Sequence, residues 1–121
     1  MAIRKRDEEN IQIAIVKYLK FKYSRALFTN TLGGIRTSFK QAVKAKQTGY
    51  LKGVSDLLIL EPNKKYFGLF LEIKTDKGKL SPTQREFITK ASKRNYKAIA
   101  GYGLNNCIDI IDRYFNNDQT L

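Results

Sequence analysis

Two short runs of this chain set most of what it can fold into. Ser55–Leu60 and Tyr66–Lys74 are apolar at odd and even positions alike, so as strands they have no face to offer water. Strands of that kind sit in the middle of a sheet that is covered on both sides. Between them, Glu61-Pro62-Asn63-Lys64-Lys65 is turn-forming, which joins the two as a hairpin. A turn centred on Lys64 sets Asp56 opposite Glu72 and Leu60 opposite Gly68, with the Cβ atoms of the two acidic residues about 5 Å apart on one face. A slip of one residue would put them on opposite faces.

The flanking segments read as mostly helical. From Asp7 to about Ser24, Ile11, Ile15, Tyr18 and Leu19 recur with helical spacing behind Asp7 as N-cap. Ala26–Thr29 is a short strand closed by Leu32-Gly33-Gly34. Ser38–Gln47 is a basic helix, stopped by Gly49, whose thin apolar content suggests a mobile arm. After the hairpin, Ser81-Pro82-Thr83-Gln84 opens a helix as a capping box, with Phe87, Ile88 and Ala91 inward to about Arg94. Lys97–Gly101 is a strand, and Leu104–Phe115 is a closing helix with Ile108, Ile111 and Phe115 inward. The expected fold class is α/β (α+β): a single compact domain over residues 1–121, with a central mixed four-stranded sheet and flanking helices. A length of 121 residues leaves room for one core.

Charge narrows the function. The chain carries 23 Lys and Arg against 11 Asp and Glu, a net +12. Between Asn10 and Ser55 there is no acidic residue, while Lys17, Lys20, Lys22, Arg25, Arg36, Lys40, Lys44, Lys46 and Lys52 are all basic. Such asymmetry fits a polyanion lying over one face, and a nucleic acid is the expected partner, with Arg36, Lys40, Lys44, Lys46 and Lys52 as its contacts. A merely solubilising surface is the alternative. Membrane binding is not expected, because the longest aliphatic run, Leu57–Leu60, is far short of the roughly 20 residues a spanning helix needs. The N-terminus runs straight into Asp7-Glu8-Glu9, unlike a secretory signal, and the single Cys107 implies no oxidising compartment. The expected location is therefore the cytoplasm, a host cell's if the protein is viral. Histidine is absent, which excludes Ser-His and Cys-His catalysis and any zinc site that needs histidine.

What remains for hard chemistry is carboxylate, lysine and a metal that prefers oxygen. Burying Asp56 and Glu72 costs several kcal/mol each unless they are paired or metal-bound. A divalent cation between them relieves the repulsion of facing carboxylates, and Mg²⁺ or Mn²⁺ suits them, with the Ile73 carbonyl as a further ligand. Lys74 projects from the same strand face as Glu72. Taken singly, Asp56 could be a strand-start residue, and Glu72 with Lys74 could be an exposed ion pair. Glu8 lies at the end of the first helix's inward stripe and is a candidate third carboxylate. Its position is equally explained by the preference of acidic residues for a helix's first turn, as is that of its neighbour Glu9.

Gly53-Val54-Ser55-Asp56, Gly68–Lys74 and Gly78-Lys79-Leu80-Ser81-Pro82-Thr83-Gln84, in this order and spacing, resemble the virus-type replication-repair nuclease (VRR-NUC) domain of the PD-(D/E)XK nucleases. The likeness extends from the Glu8–Gln12 helix to the strand before Gly101-Tyr102-Gly103, with one departure: Ser55 stands where the family usually has proline. The resemblance implies a restriction-endonuclease-like core and a metal-dependent endonuclease. Asp56 and Glu72 would bind the cation, Glu8 would complete or orient the ligand set, Lys74 would position water or stabilise transition-state charge, and Gln84 would face the site. Gln84 is also fully explained as the third residue of a capping box. A lysine beside carboxylates favours its charged form, so electrostatic help is expected of Lys74 rather than general-base action.

The resemblance further implies a substrate of structured or branched DNA, a role in DNA repair, and a homodimer of the Holliday-junction-resolvase kind. The rival readings are a non-enzymatic nucleic-acid-binding protein and a nuclease acting on RNA or linear duplex.

Overall fold

The computed structural model describes residues 2–31 and 38–121, so Arg36 and the Leu32-Gly33-Gly34 turn lie outside the described residues. The elements follow in the order α1 (Ala2–Lys22), β1 (Phe28–Asn30), α2 (Phe39–Gln47), β2 (Leu57–Ile59), β3 (Leu69–Lys74), α3 (Pro82–Ser92), β4 (Lys97–Tyr102) and α4 (Leu104–Phe115). The strands form one mixed sheet in the order β1-β2-β3-β4. β1–β2 and β2–β3 are antiparallel, and β3–β4 are parallel. A parallel neighbour requires a crossover, and α3 supplies it.

The two sheet faces differ. Leu57, Ile59, Leu69, Leu71 and Ile73 are fully buried against Ile15 and Leu19 of α1 and Cys107, Ile110, Ile111 and Tyr114 of α4. On the other face Phe70 stacks on Tyr96 at 4.5 Å between ring centroids and meets Phe87 of α3 at 5.9 Å. β3 is thus covered on both sides, as its unbroken apolar pattern requires, whereas on β2 the second face is only partly covered: Leu58 is half-buried and Leu60, just past the strand, is exposed.

Several boundaries differ from the pattern-based reading. α1 begins at Ala2, which places Asp7 inside the helix rather than at its cap, and gives its first turn no acidic residue. The helix dipole therefore does not account for Glu8 and Glu9. β1 sits later than Ala26–Thr29, and β2 and β3 are shorter than the apolar runs that announce them. Tyr66 and Phe67 leave the ladder because the hairpin loop is tied elsewhere, while Gly68, just before β3, still accepts from the Lys97 amide of β4. The Asn63 side chain accepts from the Lys65 and Tyr66 amides and donates to the Tyr114 carbonyl, while the Phe67 amide donates to the Asn95 carbonyl.

On α4 the inward face is Cys107, Ile110, Ile111 and Tyr114, with Ile108 only half-buried, a rotation of the stripe by about one residue. α2 is a helix capped at both ends, rather than a loose arm, yet it contributes no buried residue. Among the described residues no helix is long and apolar enough to cross a membrane.

α1 and α4 are fastened by one carboxylate. Asp112 accepts from the hydroxyls of Tyr18 at 2.7 and 2.8 Å and Tyr23 at 2.6 Å, and pairs with the Lys22 ammonium at 3.2 Å. Partial burial works against its charge, but the hydrogen bonds from Tyr23, Tyr18 and Lys22 win and hold it below the usual carboxylate range.

Candidate metal and nuclease centre

The site is set by the β2–β3 register. Leu57 pairs with Leu71, Leu58 with Phe70 and Ile59 with Leu69, and the same pairing carried one step further sets Asp56 opposite Glu72. This is the register expected from a turn centred on Lys64. Asp56 stands just before the first β2 residue, where the backbone ladder has ended, and its side chain replaces the missing rung: Oδ2 accepts from the Ile73 amide at 2.8 Å. In an extended strand the N–H and C=O of a residue point the same way, so the Ile73 carbonyl is turned to the edge that carries Asp56.

Glu72 is 2% exposed and Lys74 9%, the two charged residues buried in the sheet. The Lys74 ammonium lies 3.8 Å from Glu72 Oε2. Gln84 Nε2 donates to the same oxygen at 3.0 Å, while Gln84 Oε1 accepts from the Ser81 amide at 2.9 Å. The Ser81 hydroxyl in turn accepts from the Gln84 amide, completing the capping box. Gln84 therefore performs both roles that the sequence allows it, holding the helix start with one end of its amide and Glu72 with the other.

Burial together with the facing Asp56 carboxylate pushes the Glu72 carboxyl up to about 9; the charge of Glu8 adds to the push, and Lys74 works against it. A pair of this kind is relieved by a proton or by a cation. Among the described residues no group of three or more His, Cys, Asp or Glu side chains is gathered to hold a metal by itself. Mg²⁺ does not need such a cage: it is typically held by one or two carboxylates, with phosphate and water as its other ligands. The donor set of Asp56, Glu72 and the Ile73 carbonyl fits that habit. Glu8, on α1, is placed to influence Glu72 electrostatically.

The approach to Asp56 is built on a glycine. Gly53 has φ +92°, and a Cβ there would lie 2.3 Å from the Thr83 carbonyl oxygen. The segment entering β2 therefore rests directly on the first turn of α3, beside Gln84. Ser55, at the proline position of the resemblance, is fully buried; its carbonyl accepts from the Thr31 hydroxyl at 2.8 Å, and its own hydroxyl has no partner among the described residues. Neither that burial nor the role of Thr31 carries a local sequence signal.

Lys40, Lys44 and Lys46 are exposed on α2, and Lys52 is exposed in the segment that leads from it to Gly53.

The VRR-NUC domain family matches residues 2–103. A solved structure described as a VRR_NUC domain protein superimposes with a TM-score of 0.72 at 29% sequence identity, over 91% of this chain and 88% of that one. No curated protein matches.

Proposed function

Starting from the chain's membership of the VRR-NUC domain family, and hence from a nuclease domain, we propose that it is an Mg²⁺- or Mn²⁺-dependent endodeoxyribonuclease that cuts structured or branched DNA. Asp56 and Glu72 would hold the cation with the Ile73 carbonyl, and Glu8 would tune or complete that set. When bound, the cation would neutralise charge on the scissile phosphate and activate water for in-line hydrolysis.

The chain's own groups do the rest. Lys74, buried beside Glu72, presents its ammonium to the charge that develops on the phosphate oxygens. Gln84 fixes the Glu72 carboxylate in place from the rigid start of α3. Lys40, Lys44, Lys46 and Lys52 supply phosphate contacts that hold DNA without reading its sequence, which favours recognition by shape. Arg36 belongs to the same basic segment of the sequence.

The observation that carries this reading is the register that sets Asp56 across from a buried Glu72 with Lys74 alongside. A junction resolvase is the specific form proposed, acting as a homodimer, because a four-way junction needs two symmetric cuts and one chain supplies one site. Viral origin, DNA repair and a cytoplasmic setting belong to the same proposal.

The test is cleavage of labelled four-way, flap and linear DNA in Mg²⁺, Mn²⁺ or EDTA, with a Lys74→Ala sample alongside. Cutting of branched substrates that requires the metal and is lost in the variant is expected. Cutting that persists in EDTA, or that survives the substitution, would overturn the metal-centre reading. Cutting of linear duplex alone would overturn the junction reading.

A further inference from the structure

α2 is a nine-residue helix held at its N-terminus by a full capping box, Ser38 with Gln41, and at its C-terminus by Thr48, yet it buries none of its residues. A short helix that is fastened at both ends and buries none of its residues is open to something outside the chain. Its most exposed apolar side chain is Phe39, 86% open to solvent, followed one turn later by Val43 at 40%. Lys46 continues that stripe, with Lys40 and Lys44 beside it.

Charge decides what can cover this face. Two copies of α2 laid together would bring their lysines into contact, and no acidic residue between Asn10 and Ser55 is present to offset them. A polyanion has the complementary charge, and an aromatic ring among lysines is the pattern that binds unpaired bases, which stack on the ring while the ammonium groups hold the backbone. The position also suits the centre: eight residues separate the end of α2 from Asp56, and Gly53 within that stretch is pressed against Thr83 beside Gln84.

We propose that Phe39 is a base-stacking residue, and that α2 selects DNA with unpaired or splayed bases and presents it to the Asp56–Glu72 centre. This inference rests on the nuclease reading for its purpose but not for its test, since binding is measured without metal. The experiment is equilibrium binding in EDTA of wild type, Phe39→Ala, Phe39→Tyr and Lys44→Ala to two oligonucleotides, a duplex carrying an unpaired 2-aminopurine and its fully paired counterpart.

Phe39→Ala is expected to weaken binding to the unpaired substrate about tenfold, the scale of one lost base–aromatic stack, and to abolish the change in 2-aminopurine emission. Its affinity for paired duplex should stay within about twofold of wild type. Phe39→Tyr should restore the stack, and Lys44→Ala should weaken both substrates alike and lower the salt dependence. Equal losses on both substrates for Phe39→Ala, or no loss on either, would overturn the proposal. So would a change in oligomeric state by light scattering, which would assign Phe39 to a contact between copies. Binding as expected in a protein that never cuts DNA would refute the nuclease reading and leave this one standing.

Discussion

Gln84 spans two structures with one side chain: its Oε1 closes the capping box of α3 on the Ser81 amide, and its Nε2 holds Glu72 Oε2 at 3.0 Å. The helix start and the Glu72 carboxylate are thereby fixed to each other, and the two contacts can be separated by substitution. Gln84→Ala removes both and should cost about 1 kcal/mol of stability from the cap together with about 10- to 100-fold in cleavage rate. Gln84→Glu keeps an acceptor for the Ser81 amide but sets a second carboxylate against Glu72, so its rate should fall while α3 remains capped. Thermal melts and single-turnover cleavage of both variants check this.

The state of Glu72 makes the metal-free protein sensitive to pH. With the folded carboxyl pushed up to about 9 and its ordinary value near 4.5, the native state holds a proton that the unfolded chain has released across that window. Stability contributed by that proton is present in full below the ordinary value and is lost as pH rises toward 9. In EDTA the melting temperature should therefore decline across this range, and Glu72→Gln should flatten the decline. Added Mg²⁺ should raise the melting temperature most at the alkaline end, where it replaces a proton already lost.

Asp112 has the opposite sign. Its carboxyl is held below the usual range, so its contribution is present above the ordinary carboxylate value and is lost as pH falls through its folded value. Asp112→Asn should destabilise the protein by about 1–3 kcal/mol at neutral pH, since Tyr18, Tyr23 and Lys22 lose a charged acceptor. The same variant should show a shallower loss of stability on acidification, measured by urea titrations between pH 2 and 6 (about the range in which carboxylates titrate).

Ser55 offers a test in the other direction. Its hydroxyl is buried without a partner among the described residues, so Ser55→Ala removes a desolvated polar group and should stabilise by about 1 kcal/mol, read as a raised denaturation midpoint.

These residues also mark how far the sequence could be read. The Asp56–Glu72 register was legible because hairpin pairing is arithmetic once the turn is placed, and unbroken apolar runs name the central strands. The capping box at Ser81 was legible because its signals lie within four residues. Strand lengths were not, since Phe67 is bonded to Asn95 and Tyr66 to Asn63, which is itself tied to Tyr114 far along the chain. The Asp112 clamp joins residues 94 apart in sequence, and no local pattern announces it. Nor does a basic segment declare whether its helix will pack, which is why α2 was expected to be loose rather than capped and exposed.

The central claim is that Asp56 and Glu72 jointly hold one hard cation. Anomalous diffraction from crystals soaked in Mn²⁺ addresses it without recourse to activity. The expected result is a peak about 2 Å from an oxygen of each carboxylate, absent from Asp56→Asn and Glu72→Gln crystals. A peak that touches only one of the two, or manganese bound elsewhere while this pair stays metal-free, would contradict it.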